Sequence, residues 1–243
     1  MFLRTLRAEG IKLHRSPVWL AFLFLPILPA VMGTFNYLQN IGILQNEWYS
    51  LWTQHTLFTS YFFLPAIIGV YCSYLCRLEH LNHNWNAVMT APVPTATIYI
   101  AKLISASVLV LLTQVWTGIL FVISGRLCGL TSPLPPDLPV WLLCGAVGGV
   151  VICALQLCIS LLIRSFAVPV GIALVGGFAG LAAFAKGYGT FFPYSLLCIG
   201  MRANQPGGPM ACGTGQFLAF SLGYILICMA FAVTWLKKRD VVT

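Results

Sequence analysis

The sequence predicts an all-α polytopic membrane protein with six transmembrane helices, and its composition is the first reason. The chain of 243 residues is 59% hydrophobic and only 7% charged, whereas a soluble domain carries about 25% charged residues. So few charges cannot cover the surface of a soluble protein of this size, so lipid must cover it. Because backbone polar groups within lipid must be paired inside their own segment, the apolar stretches are expected to be helices.

Six apolar stretches have about the 20 residues that a helix needs to cross a bilayer. They belong to one integral membrane domain, residues 1–243, since no segment is long and polar enough for a second domain. Pro26, Pro65 and Pro169 are expected to kink or start helices. The spans are predicted at residues 17–35, 57–76, 103–124, 140–163, 167–185 and 217–236.

The thirteen basic residues gather at alternate ends of these spans, and this pattern predicts the orientation. Under the positive-inside rule, an N-terminus in the cytoplasm leaves only Arg126, Lys186 and Arg202 outside. Six spans then place the C-terminus in the cytoplasm as well. The net charge of +8 does not indicate nucleic-acid binding, because the basic residues flank spans instead of lining one face. The ten residues expected inside are Arg4, Arg7, Lys12, Arg15, Arg77, Lys102, Arg164, Lys237, Lys238 and Arg239.

Several functional classes lack the residues they need. No ionisable residue lies deep in a predicted span, which argues against an ion-coupled carrier. The chain has no phosphate-binding loop, no G-x-S-x-G, no paired carboxylates and no C-x-x-C, so we predict no enzyme activity and no cofactor in this chain. Glu79 with His80-x-x-His83 has no evident third ligand, so a polar helix face is favoured over a metal site.

Three further patterns leave alternatives open. Residues 1–16 form either a basic amphipathic helix on the membrane surface or a plain basic arm. The pairs Gly145-xxx-Gly149 and Gly176-xxx-Gly180 suit both dimerisation and packing within the chain. Cys198 and Cys212 flank the last outer loop and could form a disulfide if that side is oxidising, or remain free thiols.

The loop at residues 77–102 is the richest in hydrogen-bonding side chains. Its apolar residues recur at helical spacing and predict one short amphipathic helix. Pro92 and Pro94 should end this helix, and a new one should begin near Thr95 or Ala96. The loop is either a membrane-lying connector or a docking element with Trp85 as its anchor. The apolar stripe comprises Leu78, Leu81, Trp85, Val88 and Met89.

Three short stretches of the sequence carry a family resemblance. The first is Ala8-Glu9-x-x-Lys12-Leu13-x-Arg15-Ser16-Pro17. The second runs from Glu79 through Asn84-Trp85 to Ala91-Pro92 and on to Ile98-Tyr99-x-x-Lys102-Leu103. The third is Phe192-Pro193-Tyr194-Ser195. Together they resemble the permease subunits of type-two ABC exporters, and among them those of the lantibiotic-immunity kind. The six-span plan and the length fit along the whole chain.

The resemblance implies a role for each of these stretches. Residues 1–15, with Glu9, Lys12 and Arg15, would form a cytoplasmic surface helix. Residues 79–91 would form a coupling helix that seats in a separate ATPase subunit, which binds ATP and Mg. Residues 187–212, with Phe192, Pro193, Tyr194 and Ser195, would form the external gate. The residues expected to couple to the ATPase are Arg77, Glu79, His80, His83, Asn84, Trp85 and Lys102.

The function that the resemblance implies is that of a membrane subunit in an ATP-driven exporter of the bacterial plasma membrane. The exporter would expel an amphipathic, lantibiotic-like peptide antibiotic or a similar hydrophobic compound and so give self-protection or resistance. Its partners would be the lipid bilayer, the ATPase and a second permease chain, the same or related, with no nucleic acid. The alternative is a non-transport membrane sensor or an assembly scaffold for a partner protein.

Overall fold

The computed structural model describes residues 1–81 and 84–238, and this part of the chain is helical with no strand. Six helices are long and apolar enough to cross a membrane, which confirms the predicted fold class. These candidate spans are Val18–Gln39, Glu47–His80, Thr95–Leu127, Leu138–Leu162, Ala167–Ala185 and Thr214–Lys238.

Prolines divide the first two spans, as expected from their missing N–H group. The first span consists of α2 (Val18–Phe24) and α3 (Ile27–Gln39), which meet at Pro26. The second consists of α4 (Glu47–Phe58), a π-helical turn (Thr59–Phe63) and α5 (Leu64–His80). Pro65 cannot donate to the carbonyl of Tyr61, and the Leu64 N–H bonds Thr59 instead.

The remaining spans are single helices, and three short helices lie between or before spans. The third to sixth spans are α7 (Thr95–Leu127), α8 (Leu138–Leu162), α9 (Ala167–Ala185) and α11 (Thr214–Lys238). The short helices are α1 (Phe2–Leu13), α6 (Asn84–Thr90) and α10 (Ser195–Gly200).

The alternating spans give the bundle two distinct ends. We call the end with α1, α6 and the last turn of α11 the basic end, because most of the basic residues lie there. The other end, which carries Arg126, Lys186 and Arg202, is called the loop end. Arg239, expected beside Lys238, lies outside the described residues.

The second and third spans are longer than predicted, and each includes an ionisable side chain that the predicted bounds left outside. The second helix already begins at Glu47, so it includes His55, which is 1% exposed. The third begins at Thr95, as the prolines predicted, so it includes Lys102, which is also 1% exposed. Each of the two lies toward the start of its helix, where neighbouring helices bury it. A hydropathy pattern along one helix does not register such burial.

The centre of the bundle is α8, which packs against α5, α7, α10 and α11. Toward the loop end, aromatic rings fill the core: Trp52 packs on Phe121 and on Trp141, with ring centroids 5.0 and 5.3 Å apart. By contrast, α3, α9 and α11 present large apolar side chains outward, including Val175 and Ile227. Such exposed apolar faces suit contact with lipid.

Both small-residue pairs pack within the chain. An added Cβ at Gly176 would lie 2.4 Å from the ring of Tyr194, and one at Gly180 would lie 3.1 Å from the same residue's Cβ. Gly145 and Gly149 face side chains of α7 in the same way. Of the two interpretations of these motifs, the structure therefore supports close intrachain packing.

Candidate functional site

Four charged side chains at the basic end form a closed set of ion pairs, here called the charge cluster: Glu9 and Lys12 of α1, Glu79 of α5 and Lys102 of α7. Lys12 Nζ donates to Glu9 Oε1 at 2.8 Å and also to Glu79. Lys102 Nζ lies 3.2 Å from Glu9 Oε2 and 2.8 Å from Glu79 Oε2, so it forms an ion pair with both glutamates. Lys102 also donates to the Leu75 carbonyl at 2.9 Å. Two positive charges thus balance two negative ones.

The charge cluster is buried. The side chains of Glu9, Glu79 and Lys102 are 4%, 2% and 1% exposed, and that of Lys12 is 29% exposed. Because removing an ion from water costs several kcal/mol unless it is paired, each member depends on the others. The cluster therefore fastens the surface helix α1 to the basic ends of the second and third spans.

Four residues predicted to belong to the surface helix or to the coupling loop contact one another in the structure. The helix predicted at the N-terminus is present, and its Glu9 and Lys12 face the bundle. Glu79 and Lys102, predicted to couple to the ATPase, contact each other and α1. The sequence did not reveal this because the partners lie 67 and 93 positions apart along the chain. Arg15 is outside the cluster, in an exposed turn with φ of 59°.

The predicted coupling helix is shorter than expected. The prediction of a single helix from Leu78 to Met89 is wrong. Instead, α5 continues through His80, Leu81 is extended and α6 begins at Asn84. The Asn84 amide donates to the Leu78 carbonyl at 3.0 Å, which holds this break closed. His83 and the side chain of Met89 lie outside the described residues.

Trp85 links α6 to two spans through His80. Trp85 Nε1 donates to His80 Nδ1 at 3.0 Å, and His80 Nε2 lies 2.9 Å from the Ser160 carbonyl in α8. Both bonds are satisfied by one neutral imidazole that carries its proton on Nε2. Close by, the Arg77 guanidinium lies 5.5 Å from the centre of the Phe166 ring, next to the start of α9. These bonds connect α6 to α5 and, through His80, to α8.

An open groove separates α6 from α1 at the basic end. It has a volume of about 700 Å³, with mainly apolar walls from residues such as Leu78, Val88 and Ile98. Arg4 and three members of the charge cluster, Glu9, Lys12 and Glu79, contribute its polar side. The groove is large enough to receive several side chains of another molecule.

At the loop end, the residues expected to form a gate enter the bundle and turn back. We call residues 192–201 the gate segment. Along α10, Leu197 lies over Gly148 of α8, whereas Gly200 lies over Cys144, which is nearer the loop end. The helix α10 therefore runs back toward the loop end, and the turn before it, at Pro193, is the innermost part.

Tyr194 and Ser195 hold this turn in place. Tyr194 Oη lies 2.6 Å from the Gln156 amide of α8, and Ser195 Oγ donates to the Gly180 carbonyl at 2.8 Å. The Gln156 amide is satisfied when its oxygen accepts from Tyr194 and its nitrogen donates to the Pro169 carbonyl. Phe192 packs beside the Tyr194 ring, with centroids 5.9 Å apart.

Two residues of the second span bond the end of the gate segment and the chain just after it, and neither was predicted as a site residue from the sequence. Trp52 Nε1 donates to the Met201 carbonyl at 2.9 Å. Thr56 Oγ1 donates to the Ala203 carbonyl at 3.2 Å. Trp52 and Thr56 lie just before the predicted second span, in a stretch that was left out of it because several of its residues are polar. The gate segment is thus bonded to the second, fourth and fifth spans.

Comparison with known families decides the class of this protein. The sequence model for ABC-2 family transporter proteins matches residues 5–180. The chain belongs to the ABC-2 transporter family. No curated protein matches it.

The match covers α1, the charge cluster, α6 and most of α9, whereas the gate segment and α11 follow it. ABC-2 proteins of this kind are membrane components of ABC transporters, and ATP hydrolysis in the family belongs to a separate subunit. The protein is therefore a multi-pass ABC-2 permease that works with an ABC ATPase.

All nine cysteines of the permease are free, so the Cys198–Cys212 disulfide is not formed. Cys198 belongs to α10, where its thiol donates to the Ser195 carbonyl at 3.0 Å. Burial raises the pKa of the Cys198 thiol to about 12. Burial also raises the pKa of Cys212, which follows the gate segment.

We expect Cys198 of the folded permease to resist alkylation by maleimide near neutral pH. Only the thiolate reacts, and a pKa of about 12 leaves roughly one thiol in 10⁵ ionised at pH 7. Alkylation after unfolding without a reductant, followed by mass spectrometry, should label both Cys198 and Cys212. A peptide in which these two residues are joined and unlabelled would contradict the free-thiol structure.

Proposed function

We propose that this ABC-2 permease is the membrane subunit of an ATP-driven exporter in a bacterial plasma membrane, with its basic end in the cytoplasm. The observation that carries the proposal is the bonding of α1 and α6 to the ends of the spans. The charge cluster joins α1 to α5 and α7, and Trp85 joins α6 to α5 and α8. A force applied to these short helices would move the spans directly.

The cytoplasmic orientation is supported by the distribution of charge. Arg4, Arg7 and Arg15 lie on or beside α1, and Lys237 and Lys238 end α11. Short segments rich in Lys and Arg are retained in the cytoplasm. In this orientation the gate segment faces the outside, and α1 and α6 face the compartment that holds ATP.

The docking surface proposed for the ATPase is the outer side of α6 together with the groove beside α1. Asn84 is exposed at the start of α6, and Val88 lines the groove. ATP and Mg would be held by the ATPase, which would close on ATP and push α6. The push would pass through His80 to the fourth span, which carries Gly148 and Gln156, the contacts of the gate segment.

The proposed cargo is an amphipathic peptide antibiotic, lantibiotic-like, or a similar hydrophobic compound, and its removal would give self-protection or resistance. Outward-facing apolar side chains on α9 and α11 support a route beside lipid. A second permease chain, identical or related, would complete the transporter.

Replacing Trp85 with alanine should at least halve co-purification of the ATPase and its stimulation by the permease. The change removes the bond to His80 and the ring that connects α6 to α5. A Trp85→Phe variant keeps most of the ring contact, so its ATPase co-purification and stimulation should lie between those of the unmodified permease and of Trp85→Ala. Trp116→Ala, which removes an indole bonded to the first span, serves as the control.

Two results would count against this coupling function. Unchanged ATPase binding and stimulation in Trp85→Ala would remove α6 from the coupling path. A partner that binds the permease without any nucleotide-dependent response would favour the sensor or scaffold function instead.

A further inference from the structure

A wide cavity at the loop end is built from three separate connections of the chain. It has a volume of about 1140 Å³ and is called the loop-end cavity. Residues 43–50 form one wall, Ser132 and Pro133 another, and residues 204–208 a third. This volume is slightly larger than that of typical ligand sites, which is roughly 300–1,000 Å³.

The lining includes several side chains that both donate and accept hydrogen bonds. Four are primary amides, those of Gln45, Asn46, Asn204 and Gln205. Primary amides can pair with the N–H and C=O groups of a peptide backbone through the same two bonds. The rings of Trp48 and Tyr49, also in the lining, add apolar surface. The cavity thus offers both polar and apolar contacts.

Glu47 is the one charged residue in this lining. Its side chain is exposed and has no ion-pair partner among residues 1–81 and 84–238. Its backbone is in the left-handed region, with φ of 40°, which is uncommon for a residue other than glycine and often marks a functional position. Glu47 is also the first residue of α4, and a negative charge at a helix N-terminus stabilises the helix through its dipole. Its charge therefore has a structural role in addition to any role in binding.

Two basic residues of the loop end, Arg126 and Arg202, are already engaged in other contacts. The Arg126 guanidinium lies over the Trp48 ring, 5.4 Å from its centre, and donates to the Leu130 carbonyl at 2.8 Å. Arg202 donates to the Gly208 carbonyl at 3.0 Å. A positive group supplied by a ligand would therefore meet an unpaired carboxylate at Glu47.

The cavity adjoins the gate segment. Asn204 follows that segment by three residues and accepts a hydrogen bond from the Tyr61 hydroxyl at 3.4 Å. Tyr61 belongs to the π-helical turn of the second span, and π-helical turns often occur at functional sites. A ligand that bonds Asn204 would therefore be connected both to the gate segment and, through Tyr61, to the second span.

We propose that the loop-end cavity binds the cationic, extended part of an amphipathic peptide. Glu47 pairs with a lysine or arginine side chain of the peptide, and the amides of Gln45, Asn46, Asn204 and Gln205 bond its backbone. This inference rests on the proposed function, since it assigns the peptide chemistry that the exporter would recognise at its outer side.

The test uses the full chain in nanodiscs of zwitterionic lipid and two fluorescent peptides. One is a short amphipathic peptide with several lysines, and its twin has glutamine at those positions. We expect the lysine peptide to bind more tightly, and Glu47→Gln to weaken its binding about five-fold at low salt, since exposed ion pairs contribute at most about this factor. High salt should remove the difference, and binding of the glutamine twin should not change.

Asp137→Asn is the matched control, because Asp137 also lies at the N-terminus of a helix, α8, but does not line the cavity. It should leave the affinity for both peptides unchanged. If Glu47→Gln fails to fold, Asn204→Lys provides a second variant. It should weaken binding of the lysine peptide more than binding of the twin, because both lose one backbone contact and only the lysine peptide is repelled by the new charge. Equal affinities for the two peptides, an equal loss in Asp137→Asn, or full competition by a neutral oligosaccharide would each overturn the proposal.

The outcome separates this site from the exporter function. If the ATPase responds to the permease as proposed and Glu47→Gln changes nothing, the peptide site is wrong and the exporter remains. If peptide binding depends on Glu47 but no ATPase couples to α6, the site stands and the exporter function fails.

Discussion

Replacing Lys102 with methionine is expected to lower the free energy of unfolding by about 3–5 kcal/mol, because removing one partner leaves buried charge uncompensated. Lys102 is 1% exposed and contacts both glutamates of the charge cluster. Without it, Glu9 and Glu79 share Lys12 alone, and the cluster keeps one excess negative charge. Thermal unfolding of the purified permease in detergent measures the effect.

Two variants control this result. Lys12→Met should lower the free energy of unfolding by clearly less than Lys102→Met. The Lys12 side chain is 29% exposed, so water can take its place beside the glutamates. The double variant Glu79→Gln with Lys102→Met should lose less free energy of unfolding than the sum of the losses in the two single variants. The reason is that the two opposite charges are removed as a pair. Strictly additive losses, or a loss below about 1 kcal/mol for Lys102→Met, would contradict a cluster whose members depend on one another.

Replacing Gly148 with valine is expected to displace the gate segment and abolish transport. An added Cβ would lie 2.6 Å from the Leu196 carbonyl oxygen and 2.6 Å from Leu197 Cα. These are backbone atoms, so no side-chain rotation relieves the clash, and overpacking of this kind costs about 1–3 kcal/mol or more. The measurements are thermal unfolding and peptide resistance in cells that express the complete transporter.

Gly171→Val is the control for this change. Gly171 also lies in a spanning helix, α9, but an added Cβ would meet nothing within 4 Å. The same substitution there should leave resistance intact, apart from any loss shared by both positions through helix propensity. Normal resistance in Gly148→Val would show that close contact between α8 and the gate segment is not needed.

Hydropathy and charge predicted the architecture because both act along single helices. Six apolar stretches and the prolines at 26, 65 and 94 placed the spans and several helix starts correctly. The exact limits failed where polar residues are buried by neighbouring helices. His55 and Lys102 lie in spanning helices and are hidden by contacts that their own stretch of sequence does not reveal.

The candidate site was predicted in its residues but not in their contacts. Glu9, Lys12, Glu79 and Lys102 were all selected from the sequence, as separate members of a surface helix and a coupling loop. Their ion pairs join positions far apart in the chain, and pairing at that separation follows only from the folded arrangement. The same holds for Trp52, whose bond to Met201 spans 149 positions.

The central claim is that a separate ATPase acts on α6 at the basic end, and site-specific photo-crosslinking tests it most directly. A photoreactive amino acid is placed at Asn84, which is exposed at the start of α6, or at Tyr188, which is 65% exposed at the loop end. Native membranes are irradiated and the adducts are identified by mass spectrometry. The account predicts an ABC ATPase joined to position 84 and none joined to position 188, whereas an ATPase adduct at position 188, or none at position 84, would contradict it.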